Sequence, residues 1–146
     1  MTKARLEHAN LMVTGIDETA NFLLAAFPHW SIRGEGGGEW YGVPRRWAHV
    51  GDDYNYITLN EFFGANASDK PQRDLAGTDP GLAHLAFEVD DLDAIISRLK
   101  KVGYESHNLG EDHPHRRNNY FKTKEGIEFE FVQYFSDKPE ERNLYA

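Results

Sequence analysis

Two stretches of this chain lie over one another without a gap. Residues 6–26, LEHANLMVTGIDETANFLLAA, align on residues 82–102, LAHLAFEVDDLDAIISRLKKV. Leu6 meets Leu82, His8 meets His84, Val13 meets Val89 and Asp17 meets Asp93, while apolar Leu11, Ile16 and Leu23 meet apolar Phe87, Leu92 and Leu99. A chain made of two like halves tends to set equivalent residues about a pseudo-twofold axis, which brings two histidines far apart in sequence toward a common point. The plainer alternative is two ordinary strand-helix units with the same apolar rhythm, whose histidines have no joint role.

Each half repeats one order of elements. In residues 6–13, Ala9, Leu11 and Val13 alternate with His8, Asn10 and Met12, the pattern of a strand buried on one face. Thr14 followed by Asp17 has the form of a helix cap, and Ile16, Ala20, Leu23 and Phe27 continue as a helical stripe until Pro28. The glycines at 34–38 predict a loop, and RGEGGGEWYGVPRRW a mobile flap with Trp40, Tyr41 and Trp47 as apolar surface; Trp47 also opens a strand and is a core candidate. Residues 47–51 and 54–62 read as a hairpin turned at Gly51-Asp52-Asp53, with Ile57 and Leu59 packed and Tyr56, Thr58 and Asn60 on the other face.

Residues 64–81 lack an apolar period and are rich in turn formers, which marks a connection. Beyond it, Leu85, Phe87 and Val89 face one way and His84, Ala86 and Glu88 the other. Asp90 stands as the cap of a helix carrying Leu92, Ile95, Ile96, Leu99 and Val102 up to Gly103. Strands are predicted at 118–122 and 127–134 around a turn at Lys124-Glu125-Gly126, with Ile127, Phe129 and Phe131 packed and Glu128, Glu130 and Val132 opposite. The expected fold is α+β: strand, helix, then two or three strands, performed twice, with helices on the outer face of a curved mixed sheet and a cleft on the inner face. The divisions are a first module at 1–63, a linker at 64–81, a second module at 82–135 and a polar tail at 136–146.

Composition narrows the function. The net charge of −8 argues against a nucleic-acid backbone or an anionic membrane surface as partner. The chain has no cysteine, so disulfides, thiolate-metal sites and a cysteine nucleophile are excluded, and any metal depends on His, Asp and Glu. The opening MTKARLEHANLMV has no signal-type apolar core and no run approaches a membrane span, so a cytoplasmic protein is expected.

Two imidazoles and one carboxylate from three strands are a minimal set for a divalent ion with positions left open, and His8, His84 and Glu130 are the candidates. Such donors suit nickel, manganese, iron, cobalt or zinc alike. Against this, a lone strand histidine is more often a hydrogen-bonded core residue, and Glu128 and Glu130 also fit an exposed strand. In HPHRRNNY, at 113–120, two histidines, two arginines and Tyr120 stand just before a strand, where they reach over the cleft, with Arg116 or Arg117 as an anion contact. The alternative is a solvated loop balancing Glu111 and Asp112. His113 and His115 are close enough in sequence to chelate a metal adventitiously.

LEHANLMV, GLAHLAFEVDDLDAIISRLKKVGY and YFKTKEGIEFEFVQY resemble the vicinal oxygen chelate superfamily, also called the glyoxalase, bleomycin-resistance and dioxygenase group. The resemblance implies two βαβββ modules, with metal ligands from the first and last strand of each. His8 and His84 match the histidines, and Glu130 the glutamate four residues beyond the turn glycine, here Gly126. The turn is Thr123-Lys124-Glu125-Gly126 where the group usually has an acidic, proline-containing one. Thr58 occupies the position where glyoxalase I-like members place a fourth, carboxylate ligand. The three-ligand set instead resembles fosfomycin-resistance transferases and extradiol dioxygenases, though the latter are usually longer chains.

The implied function is a metal-dependent lyase, isomerase or transferase acting on a small oxygen-rich molecule. Glu130 is the candidate catalytic residue, and Tyr56, Thr58, Asn60, Arg116 and Tyr120 are candidate substrate contacts. The implied alternative is a metal-free, bleomycin-resistance-like binding protein, and the family further implies a homodimer.

Overall fold

The computed structural model describes residues 4–63, 78 and 80–145. The chain divides into two compact units, residues 1–73 and 74–146. The connection expected at 64–81 lies almost wholly outside the described residues.

In the first unit, β1 (His8–Val13) leads into α1 (Ile16–Ala26), followed by β2 (Ser31–Trp40), β3 (Val43–Gly51) and β4 (Tyr56–Phe62). The sheet order is β1-β4-β3-β2, with β1 parallel to β4 and the other pairs antiparallel. Leu11, Val13, Ala48, Val50, Ile57 and Leu59 are buried together with Ile16, Ala20, Phe22 and Leu23 of α1, and α1 packs on β3 and β4. Burying each of the large side chains is worth about 1.5–3 kcal/mol. That requirement fixes the register and leaves His8, Asn10 and Met12 on the opposite face. Thr14 is not the N-cap of α1. Gly15 occupies that place, and the Ile16 amide donates to Glu61 Oε2 of β4 at 3.3 Å.

The glycine-rich segment is not a flap. It forms β2, paired with β3 along nearly its whole length. Glycines weaken a strand by leaving nothing to pack, but here the room they leave is filled. A Cβ at Gly36 would lie 3.0 Å from the Trp47 ring, and one at Gly34 would also touch it. Trp47 therefore spreads over the glycines on the histidine-bearing face instead of joining the core. Tyr41 (φ 52°) and Gly42 (φ 76°) close the hairpin with positive φ at both central residues, the type I′ geometry that matches strand twist. At the β3–β4 turn a Cβ on Gly51 would overlap the Asn55 carbonyl oxygen, so glycine is required there.

The second unit has β5 (His84–Glu88), α2 (Leu92–Lys101), β6 (Arg116–Lys122) and β7 (Glu128–Tyr134), in sheet order β5-β7-β6 with β5 parallel to β7. Leu92, Ile95 and Leu99 of α2 are buried, as are Phe121, Phe129 and Phe131 of the sheet, and α2 packs on β6 and β7. The cap of α2 is Asp91, one residue beyond the expected Asp90; its carboxylate accepts from the Ala94 amide at 3.0 Å. Where the first unit has β2, the described residues of the second have a single bridge, Asn108 to Tyr120. The bridge lies on the free edge of β6, so both units follow a βαβββ-like plan with the second reduced at that strand. The tail contains a short helix, α3 (Pro139–Arg142), whose Arg142 pairs with Glu88 and lies 3.8 Å over the Tyr134 ring. No helix among the described residues is long and apolar enough to cross a membrane.

Candidate metal and ligand site

The strand registers of the two units superimpose. His8 is opposite Tyr56 and Asn10 opposite Thr58 in the β1–β4 pair; His84 is opposite Glu128 and Ala86 opposite Glu130 in the β5–β7 pair. Thr58 is thus the first unit's counterpart of Glu130, and Tyr56 that of Glu128.

In the second unit the structure brings His84 and Glu130 together. His84 Nε2 lies 3.0 Å from Glu130 Oε2, and Nδ1 faces Glu128 Oε1 at 3.5 Å. Glu128 also takes His107 Nε2 at 2.8 Å. Glu130 is 9% exposed, and its other oxygen accepts from Asn118 Nδ2 at 2.9 Å. Asn118 is seated against Gly110, where a Cβ would overlap its amide and where φ is +77°. Burial, reinforced by the Glu130 carboxylate, pushes the Tyr120 phenol up, so the hydroxyl keeps its proton and donates to Glu130. Tyr120 also meets the His84 ring edge to face at 5.3 Å.

In the first unit His8 Nδ1 lies 2.7 Å from Glu7 Oε1. The hydrogen bonds from His8 and from the Tyr56 hydroxyl hold the Glu7 carboxyl below its usual range. The Tyr56 ring is flanked by His8 at 4.7 Å and His49 at 4.6 Å, both stacked, and Trp47 extends the row at 4.9 Å from His49. Arg33 sits at the register shift between Ile32 and Gly34. Such a bulge re-aims a side chain, and the guanidinium lies 4.3 Å over Tyr56. Burial, aided by the nearby Arg33 charge, holds His49 below its ordinary range. Burial and the Glu7 carboxylate push the Tyr56 phenol up.

Of the other expected contacts, Thr58 and Asn60 are buried, and Asn60 is taken up by Arg45, Asn10 and the Leu11 carbonyl oxygen. Arg116 is half-buried on the His84-bearing face of β6, whereas Arg117 turns away to pair with Asp93 at 3.0 Å. His113 is not a free chelator: Nδ1 accepts from the His115 amide at 3.0 Å and Nε2 donates to the Leu144 carbonyl oxygen at 2.9 Å. Sequence reasoning missed Glu7, Arg45, His49, His107 and Asn118. Alternation of Trp47 and His49 with buried Ala48 and Val50 was the available signal for His49.

The donors suit a divalent ion. Two ligands bonded at about 2.1 Å and set at a right angle stand about 3.0 Å apart, which is the His84–Glu130 separation. On each histidine Nδ1 faces a carboxylate, Glu7 or Glu128. That arrangement, common behind metal-binding imidazoles, presents Nε2 as the ligating atom. Among the described residues no group of three or more histidines and carboxylates is ready-made for an ion; within the second unit, Glu128 and Glu130 engage different nitrogens of one ring.

The family model of the Glyoxalase/Bleomycin resistance protein/Dioxygenase superfamily matches residues 5–131. The chain belongs to this superfamily. No curated protein matches it by sequence. Among solved structures it is similar to a glyoxylase/bleomycin resistance protein/dioxygenase domain from Frankia sp. EAN1pec, at 23% identity over 98% of this chain and 100% of that one, with a TM-score of 0.71. It is also similar to the fosfomycin resistance protein FosX from Listeria monocytogenes, determined with Mn(II) and sulfate, at 21% identity over 97% and 98% of the chains and a TM-score of 0.62. TnmS3, an antibiotic binding protein from Streptomyces sp. CB03234, matches at 18% identity over 92% and 98%, with a TM-score of 0.62. At these identities the likeness is one of fold, and that fold is shared by a protein determined with Mn(II) and by an antibiotic binding protein.

Proposed function

We propose that this superfamily member is a metal-dependent enzyme of the vicinal oxygen chelate type, a lyase, isomerase or transferase acting on a small oxygen-rich molecule. Its metal ligands are His8, His84 and Glu130. The observation that carries the reading is the 3.0 Å approach of His84 Nε2 to Glu130 Oε2, backed by carboxylates at both Nδ1 atoms. FosX, with its Mn(II), supports it by analogy of fold.

A bound divalent ion, whether nickel, manganese, iron, cobalt or zinc, supplies Lewis acidity to neighbouring substrate oxygens. The chain supplies the rest. Glu7 and Glu128 orient the imidazoles. Asn118 occupies one oxygen of Glu130, and the other, beside His84 Nε2, is the one that would hold an ion or accept a proton. Tyr56, Arg116 and Tyr120 contact the substrate, with Thr58 and Asn60 supporting that face from within the sheet.

The test is bound metal per chain in untagged protein, repeated with His8→Ala, His84→Ala and Glu130→Ala and with His113→Ala as control. Comparable loss in the first three, with the control unchanged, is expected. The second reading, a metal-free binding protein, is favoured by the row of rings from His8 through Tyr56 and His49 to Trp47, a platform for an aromatic or cationic ligand. It takes over if the wild type holds no ion after soaking with nickel, manganese, iron(II) and zinc. We further propose a cytoplasmic homodimer, which sedimentation and fractionation check.

A further inference from the structure

Arg45 is the least explained cation of the first unit. Its guanidinium lies 3.9 Å from the Trp40 ring centroid, Nη1 donates to Asn60 Oδ1, and Nε is buried without an acceptor among the described residues. Acidic side chains outnumber basic ones in this sequence by 24 to 16, yet no carboxylate among the described residues pairs with Arg45.

Arginine offers only donors, so Asn60 must turn its carbonyl oxygen toward Arg45 and its NH2 group away. That group donates to Asn10 Oδ1 and to the Leu11 carbonyl oxygen. Asn10, exposed at the end of the row, is left with its own NH2. The wholly buried Asn60 therefore fixes the sense of a hydrogen-bond chain running from β3 across β4 to β1. Such chains strengthen along their length. Both ends, Arg45 Nη2 and Asn10 Nδ2, present N–H and no lone pair. Trp40 holds the guanidinium plane in place, as aromatic stacking does for arginine elsewhere. Arg33, stacked on Tyr56 in the same unit, adds positive potential.

We infer that Arg45 is a recognition point for an oxyanionic group of the small molecule, a carboxylate, phosphonate or phosphate, with Asn60 as its positioning residue and Asn10 as a second donor. This deepens the small-molecule reading above and needs no bound ion. The match is chemical: a ligand oxygen that only accepts meets, at Arg45 Nη2 and Asn10 Nδ2, a row that only donates.

The experiment is titration of the whole protein, stripped of metal with EDTA, with phenylphosphonate and with inorganic phosphate, following the Trp40 indole N–H signal and heat of binding. The uncharged diethyl ester of phenylphosphonate is the comparison. Saturable binding of the anions and none of the ester is expected. Affinity should fall about tenfold or more in Arg45→Gln, which removes a charge-assisted hydrogen bond, and equally in Asn60→Asp, which places a competing carboxylate beside Arg45. Arg117→Gln, on the other face of its own sheet, should bind as wild type. The inference is overturned if wild type gives no saturable response up to about 10 mM, if Arg45→Gln binds undiminished, or if Arg33→Gln alone abolishes binding. Should Asn60→Asp not fold, Arg45→Gln decides. A His8→Ala/His84→Ala double variant separates the two proposals, because anion binding persists in it whether or not the metal assignment holds.

Discussion

The two units use one register for opposite chemistries. In the second, the positions beside the histidine carry Glu128 and Glu130, and His84 lies between two carboxylates. In the first, the same positions carry Tyr56 and Thr58, and His8 is stacked on a ring. Around Tyr56 stand Arg33, His49 and Trp47, and beyond them Arg45 with its asparagine row. A repeated backbone thus constrains where side chains appear and leaves their character free. One half carries carboxylates of the kind that suit a cation, and the other carries donors and rings of the kind that suit an oxygen-rich or aromatic ligand.

The sharpest way to break this contrast is to exchange the paired positions. Glu130→Ala should lower affinity for Mn(II) or Ni(II) by a hundredfold or more, about 3 kcal/mol or above, whereas Thr58→Ala should leave it within about twofold, as read by chelator competition. Thr58→Glu should impose on the first unit the carboxylate of the second. Because Thr58 is 5% exposed, an unpaired carboxylate there costs about 2–3 kcal/mol without metal. A melting temperature that Thr58→Glu lowers in EDTA and that added metal restores more than in wild type would show the new carboxylate reaching the ion. Equal losses from Glu130→Ala and Thr58→Ala would erase the division.

A second comparison sets Gly110 against Gly36. In Gly110→Ala the new methyl overlaps the Asn118 amide that holds Glu130, at a φ of +77°, and about 2 kcal/mol of stability should be lost from the left-handed backbone alone. In Gly36→Ala the methyl meets the Trp47 ring at 3.0 Å. Trp47 is half-exposed and has room to shift, so the loss should stay under about 1 kcal/mol. Denaturant titration ranks the two, and metal affinity should fall in Gly110→Ala alone.

The alternation of apolar and polar residues made β1, β4, β5 and β7 legible, including which face holds His8, His84 and Glu130, because a one-residue slip would expose the whole packed set. The apolar spacing of α2 was legible for the same reason. Strand β2 was not. Its glycines give no alternation, and what stabilises it is pairing with β3 and a tryptophan spread over the bare backbone. The cap of α1 was hidden because Glu61, which supplies it, lies on a strand far along the chain. Asn60 was marked as a cleft-facing residue, but its pairing with Arg45 was not legible for a related reason: the contact crosses strands diagonally, and no local pattern records a diagonal.

A smaller effect tests whether the imidazoles are backed alike. Glu7→Gln and Glu128→Gln each remove the carboxylate facing an Nδ1, and each should weaken metal binding about tenfold. His107→Ala, which loses only the far partner of Glu128, should do less. A tenfold loss from Glu128→Gln with none from Glu7→Gln would place the metal with the second unit's residues and leave His8 to the aromatic row.

The smallest expected effect lies in the turns before the last strand of each unit. The β3–β4 turn is clamped by an ionised group: Asp52 Oδ1 accepts from the amides of Tyr54 and Asn55, both at 2.8 Å, and these bonds hold its carboxyl below the ordinary value of 3.8. The β6–β7 turn relies on a neutral one, the Thr123 hydroxyl, which accepts from the Ile127 amide at 3.1 Å, together with the positive φ of Gly126. A carboxyl whose folded value is depressed contributes stability that is fully present above its unfolded value and is lost as pH falls through the folded one. Asp52 should therefore stabilise the first unit above about pH 4 and stop doing so in stronger acid. Asp52→Ala should cost about 1 kcal/mol at neutral pH, comparable to a lost helix cap and limited by solvent screening, and that difference from wild type should vanish in acid. Thr123→Val should carry a cost of similar size with no such dependence on pH. Urea titrations of the three proteins at neutral and acidic pH read both outcomes, and a pH-independent loss in Asp52→Ala would remove the electrostatic distinction between the turns.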